Sequence, residues 1–302
     1  MVGVHVNHRG DWVFVQVRTD EGLDGLGELR AGRNYDRRVQ RVRELSELLV
    51  GTDPCKIREF FAKALAQGDD AESVAAISAI EPALWDISGK ALGVPVHALF
   101  GGACREEIRL YANINRASTD RTPDRFAQLA KDAVSVGFDA VKLAPFDGMT
   151  SGIDNAMDAG QGILCMEAVR QAVGPDVDLL IDCHSHFSPE GALEVADALR
   201  DLDLFWFEQP IPEANLDDVT EVNGLCGIRT AGGEQRSLRK GFREVMGTGA
   251  MDVIMPDVTV VGGICELVKV SEMAEAWGIP TAPHGPFGPI TIASGVQAMA
   301  GQ

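Results

Sequence analysis

Three carboxylates follow apolar runs in the 302-residue chain: Asp182 closes DLLID, Glu208 closes LFWFE, and Glu234 comes after the small-residue stretch TAGG. Glu208 lies 26 residues after Asp182, and Glu234 another 26 on. That is about the length of one strand, one loop and one helix, so a parallel βα repeat would bring all three to one edge of a sheet. Three like charges converging there repel one another unless a cation holds them. All-oxygen ligation suits a hard cation, so Mg²⁺ is expected rather than Zn²⁺, which draws more on His and Cys. An isolated strand-end acid more simply caps the next helix. Three in register, each after a run too apolar for a surface, favour the metal.

Other polar residues stand at comparable positions. Asp182 and His184 point the same way, because side chains alternate along a strand. His184 then lies beside the metal acids as a proton donor or a fourth ligand, the plainer reading being a hydrogen-bonded structural histidine. Asp257 ends VIMPD and His284 ends PTAPH, one βα unit later. A carboxylate on the neighbouring strand fixes the tautomer of an imidazole and raises its basicity, which makes His284 a general base. Lys142, in VKLA, binds a substrate carboxylate or acts as a base, with a snorkelling structural lysine as the alternative. Two positions on stands Ala144, not a second lysine.

The elements that must position these residues are legible as patterns. DWVFVQVRTDEG alternates like a half-buried antiparallel strand, and DEGLDGLGE supplies glycines for a turn into a second one. Helical spacing follows from Tyr35 to Gln67, and Ala71 to Leu92 reads as a long amphipathic helix. After Glu107, short apolar runs alternate with helices: IRLYANI, AVKLA, DLLIDC, LFWFEQ, IRTAGGE, DVIMPD and PTAPH. Strands this apolar, each followed by a helix, predict an all-parallel α/β sheet, a TIM-like (β/α) barrel with seven recognisable strands. Residues 1–106 form an α+β capping domain on this reading, and 107–302 the barrel. The Gly-, Asp- and Met-rich segment Asp147 to Gln161 is expected to be a long loop over the barrel mouth.

Composition sets the outer limits. At 45% hydrophobic, the chain can bury a large core. A net charge of −18 argues against nucleic acid or an anionic membrane as partner. The six cysteines are scattered, without a CxxC pair or a short disulfide framework, as expected of reduced thiols in a cytoplasmic protein. No apolar run has the length of a membrane span. A small molecule is the expected partner, and assembly with further copies of the chain is anticipated.

Taken together, these motifs resemble the enolase superfamily, and within it the mandelate racemase subgroup. WVFVQVRTDEGLDGLGE and AISAIEPALWDISGKALGVPVHALFGG look like that family's capping domain and its junction with the barrel. The family's metal ligands match Asp182, Glu208 in FEQP and Glu234 in GGE, and its His-Asp dyad matches His284 in PHGP and Asp257 in MPDVTVVGG. The resemblance implies Mg²⁺ and removal of the proton α to a carboxylate. Racemases of the subgroup add a second base from a KxK pair, and Ala144 fills that slot here. The D-x-H pair of Asp182 and His184 instead resembles galactonate-type acid-sugar dehydratases, where that histidine protonates the departing 3-hydroxyl. A one-base epimerase or cycloisomerase, or a truncated non-catalytic homologue, are the rival expectations. The resemblance leaves the family's eighth strand, carrying a Glu, and most of its first strand unmatched. A fragment, or a shortened gene product with an open barrel, is therefore expected. Specificity in the family comes from capping-domain loops, here around His5 to Arg9 and near Tyr35.

Overall fold

The computed structural model describes residues 1–6, 12–32, 34–149 and 159–302. In chain order the elements are β1 (Val2–Val6), β2 (Val13–Arg18), β3 (Asp24–Leu29), α1 (Tyr35–Ser46), α2 (Ile57–Gln67), α3 (Ala71–Leu92), β4 (Ala112–Asn113), α4 (Pro123–Ser135), β5 (Ala140–Leu143), α5 (Gly160–Val173), β6 (Asp178–Asp182), α6 (Pro189–Ala198), β7 (Leu204–Glu208), α7 (Leu216–Leu225), β8 (Thr230–Gly232), α8 (Leu238–Thr248), β9 (Val253–Ile254), α9 (Val258–Val261), α10 (Ile264–Ala276) and α11 (Pro289–Met299). The chain divides into two compact units. One comprises Met1–Ile108, Gly233–Arg243 and Met255–Gln302, the other Arg109–Gly232 and Glu244–Ile254.

In the first unit, β1, β2 and β3 form an antiparallel meander. Val13, Val15 and Val17 alternate inward to the core, as the sequence pattern requires. β1 pairs with β2 along its whole length. The glycines of DEGLDGLGE also divide their work. Gly22 (φ +85°) makes the turn, whereas Gly25 and Gly27 lie within β3 because α3 is packed on it. A Cβ at either would stand 1.9 Å from a backbone carbonyl of that helix.

Asp70 caps α3 by accepting from the amides of Glu72 and Ser73, and Gly93 ends it in the left-handed region. The expected amphipathic stripe is absent, for α3 is buried continuously from Ser73 to Leu84. Its neighbours β3, α1, α2 and α9 surround it and explain why. Buried in this packing, the Glu81 carboxylate accepts from the amides of Ile264 (2.8 Å) and Cys265 (3.0 Å) at the start of α10, and from the Trp85 indole (2.7 Å). Glu28 holds α11 in the same way, accepting from the amides of Gly288 and Thr291.

The second unit holds a six-stranded parallel sheet in the order β4-β5-β6-β7-β8-β9, with the predicted helices between strands. The α/β class is as the sequence implied, but the first, fifth and sixth runs shrink to two or three paired residues. Pro256, which has no N–H to donate, follows closely on β9. In the first unit, the seventh run survives only as an isolated parallel bridge between Asp257 and His284. The loop expected from Asp147 to Gln161 lies outside the described residues over 150–158, as do residues 7–9 of the expected specificity loop. Among the described residues, no helix is long and apolar enough to cross a membrane.

Burial pushes the Glu81 carboxyl from its ordinary 4.5 up to about 7, against the hydrogen bonds it accepts. A pKa raised on folding contributes stability that is complete below 4.5 and lost as pH rises through 7. Unfolding measured across this window should therefore show stability falling with pH. Glu81→Gln should flatten that slope, and an unchanged slope in the variant would assign it to another group.

Candidate functional site

The residues predicted to carry chemistry fall into two clusters, one in each unit. In the second unit, Asp182 and Glu208 are register partners at the ends of β6 and β7, so both side chains stand on one face of the sheet. Lys142 pairs with Leu180, two residues short of that row, and its long chain reaches forward. Its ammonium lies 2.7 Å from both Glu208 oxygens and 3.8 Å from Asp182 Oδ2, and only 1% of the side chain is exposed. The Tyr111 ring lies beneath it, 5.1 Å away, and the Trp206 indole donates to Glu208 Oε2 (3.0 Å). Burial alone would lower the pKa of Lys142, but the charges of Glu208 and Asp182 outweigh it and hold the group above the ordinary lysine range. Lys142 is thus the countercharge of two buried acids.

His184 reaches Asp182 by a route other than the one expected. β6 ends at Asp182, and His184 and Ser185 both adopt positive φ (45° and 59°), so strand alternation does not apply. The turn folds back, with the His184 amide donating to Asp182 Oδ1 (3.1 Å) and Nε2 lying 3.0 Å from Oδ2. Nδ1 is hydrogen-bonded to Asp147. These two contacts, Asp147 first, push the imidazole up to about 10 against partial burial, so it carries its proton at neutral pH. Asp147, Asn115 and Arg121, which pack around one another here, were not picked out from the sequence. The rule that strand ends carry polar function could have flagged Asn115, just past β4.

In the first unit, His284 lies between two carboxylates. Nδ1 is 2.7 Å from Asp257 Oδ2, and Nε2 is 2.8 Å from Glu234 Oε2. Burial opposes the charge on the ring, yet Asp257 and Glu234 prevail and raise it to about 9. Asp257 is itself fully buried. It also caps α9 through its other oxygen, accepting from the Thr259 amide (2.7 Å) and hydroxyl (2.6 Å), so the helix-capping reading and the dyad reading hold together. Arg30, at the end of β3, lies 4.0 Å from Glu234, donates to Gln235 (3.1 Å) and stacks on Phe287.

Even spacing did not mean even register. The partner of Glu208 on β8 is Ala231, and Glu234 comes three residues later, beyond a turn at Gly233 (φ +94°). Among the described residues, no group of three or more His, Cys, Asp or Glu side chains is gathered closely enough to hold a metal ion. The donor chemistry nonetheless suits a hard cation. Asp182, Glu208 and Glu234 are buried oxygen donors, and burial pushes the adjacent Cys183 thiol well above its ordinary value, so it offers no thiolate.

Residues 125–302 match the family described as enolase C-terminal domain-like, and residues 1–101 match the mandelate racemase / muconate lactonizing enzyme N-terminal domain. A D-gluconate dehydratase of Thermoproteus tenax is 32% identical over 95% of this chain, which spans only 58% of that protein's length. A D-galactonate dehydratase of Pectobacterium atrosepticum is 33% identical, with 94% of this chain and 74% of that protein covered. The crystal structure of an enolase from Agrobacterium radiobacter with bound sodium and L-malate superposes with a TM-score of 0.88 at 30% identity, covering 99% of this chain and 77% of that one.

Replacing Lys142 with Met leaves the Asp182 and Glu208 charges buried without their ammonium. A loss of about 3–5 kcal/mol is expected in urea unfolding. A loss under about 1 kcal/mol would show that the acids do not depend on Lys142.

Proposed function

This chain belongs to the mandelate racemase / muconate lactonizing enzyme family of the enolase superfamily, and we propose on that footing that it is a hydro-lyase acting on an acid sugar. The named activities of its gluconate and galactonate dehydratase relatives support the reaction class, and the L-malate in the Agrobacterium structure supports a hydroxy-carboxylate substrate. Within this reading, residues 1–106 form the capping domain, and Asp182, Glu208 and Glu234 hold a divalent cation, Mg²⁺ by the hardness of their oxygens. When bound, that cation supplies fixed positive charge to the substrate carboxylate and to the charge that develops on it. The scattered, free cysteines favour a reducing compartment, the cytoplasm.

The chain's own residues perform the proton transfers. His284 accepts the C2 proton on Nε2, while Asp257 keeps the remaining proton on Nδ1 and steadies the imidazolium that forms. The electron pair of the broken C–H bond is delocalised into the carboxylate. As the C3–O bond breaks, that pair forms the C2–C3 double bond, and a proton from His184 joins the departing hydroxyl as water. The resulting enol tautomerises to a 2-keto-3-deoxy acid. Lys142 tends the charge of Asp182 and Glu208 rather than reaching the substrate, as its burial argues.

The observation that carries this reading is the chemistry of the two imidazoles. Each ring is oriented through Nδ1 by a carboxylate, His284 by Asp257 and His184 by Asp147, and each turns Nε2 to an acid assigned to the cation, Glu234 and Asp182 respectively. Incubation with Mg²⁺ and a panel of aldonic acids should yield 2-keto acid. His284→Asn should reduce the rate at least about 100-fold, and full activity in that variant would remove His284 as the base.

A further inference from the structure

Nothing in the strand architecture fixes the His184 imidazole. The chain leaves β6 at Asp182, two successive residues lie in the left-handed region, and 40% of the His184 side chain is exposed. Its orientation therefore depends on hydrogen bonds. One partner is Asp182, a carboxylate already assigned to the cation. The other is Asp147, in the turn after β5, whose Oδ1 meets His184 Nδ1.

Asp147 is held from behind. Its Oδ2 accepts from Arg121 Nη2 (2.7 Å) and from Asn115 Nδ2 (3.1 Å). Arg121 is anchored in turn, donating through Nη1 to the Ala144 carbonyl (2.9 Å) and to Asn115 Oδ1, with its guanidinium 5.7 Å from the centre of the Phe126 ring. Asn115 Oδ1 also accepts from the Ala144 amide (3.3 Å). The first turn after β4 and the turn after β5 are thus joined through a fixed arginine, and the one oxygen this leaves over faces the histidine. A half-buried network of this kind, with Arg121 and Asp147 about one quarter exposed, holds its members more firmly than any single pair.

We propose that Asp147, clamped by Arg121 and Asn115, is a positioning residue that binds His184 through Nδ1 and so selects Nε2 as the nitrogen delivering the proton to the leaving hydroxyl. The inference rests on the dehydratase reading and adds to it the device that fixes which nitrogen the acid presents. With Nδ1 committed to Asp147, the proton exchanged with substrate is the one on Nε2, whose partner in this structure is Asp182 (3.0 Å). The breakage of C2–H does not involve His184, so Asp147 bears on elimination and not on proton removal.

That separation provides the test. Wild type and Asp147→Asn are incubated with an aldonic acid and Mg²⁺ in D₂O, following deuterium at C2 of recovered substrate and keto acid separately. In the variant, elimination should fall about 100-fold while exchange at C2 stays within about threefold. An equal fall in both, or no fall in either, overturns the proposal. Arg121→Gln, which loosens the same carboxylate from the far side, should shift the ratio in the same direction by a smaller factor. A second readout needs no turnover: in ¹⁵N-histidine-labelled protein, the His184 Nδ1 resonance should move in Asp147→Asn, and an unmoved resonance overturns the contact. If the wild type forms no keto acid from any substrate, the dehydratase reading fails while the resonance still decides whether Asp147 holds His184.

Discussion

A carboxylate buried at the end of a parallel strand has to be balanced by a positive group close by, and most of the chemistry described above follows from how this chain meets that requirement. Asp182 and Glu208 are brought side by side by strand register, and burial strips away the water that would otherwise screen them. Lys142 supplies the balance from a position two residues back along the neighbouring strand. Glu234 is balanced by His284 and approached by Arg30. The same acids that suit a divalent cation are therefore kept in place by the protein's own cations, which makes their arrangement compatible with folding before any metal arrives.

Buried acids do other work in the first unit. Glu28 and Glu81, from β3 and α3, each accept two amides at the start of a helix that follows the dyad residues in sequence or lies between them. Each satisfies donors that a helix leaves unpaired at its N-terminus. Partners more than 180 residues apart in the chain are joined this way, which ties the N-terminal meander and helix to the segments bearing Asp257 and His284.

Much of this was legible in the sequence because it rests on local pattern. Alternation in WVFVQVR found β2, the helical pattern of Ala71 to Leu92 found α3, and apolar runs found every strand of the parallel sheet. The pairing of Asp257 with His284 was legible too, since each ends a run and the runs are adjacent. What escaped was set by turns. Spacing placed Glu234 in one row with Glu208, but the strand ends at Gly232 and the backbone turns before the acid is reached. Alternation placed His184 beside Asp182, and a left-handed turn brings it there instead. Asp147 and Arg121 gave no functional signal, because a network joining two turns has no periodicity to read, and Asn115 offered only its place just past β4.

The central claim is that Asp182, Glu208 and Glu234 act together on one divalent cation, and equilibrium binding of Mn²⁺ followed by electron paramagnetic resonance tests it most directly. Wild-type protein should show one site that Mg²⁺ displaces, and Asp182→Asn, Glu208→Gln and Glu234→Gln should each weaken it by at least about tenfold. Undiminished binding in the Glu234 variant would contradict the claim, since the third acid would then have no part in holding the metal.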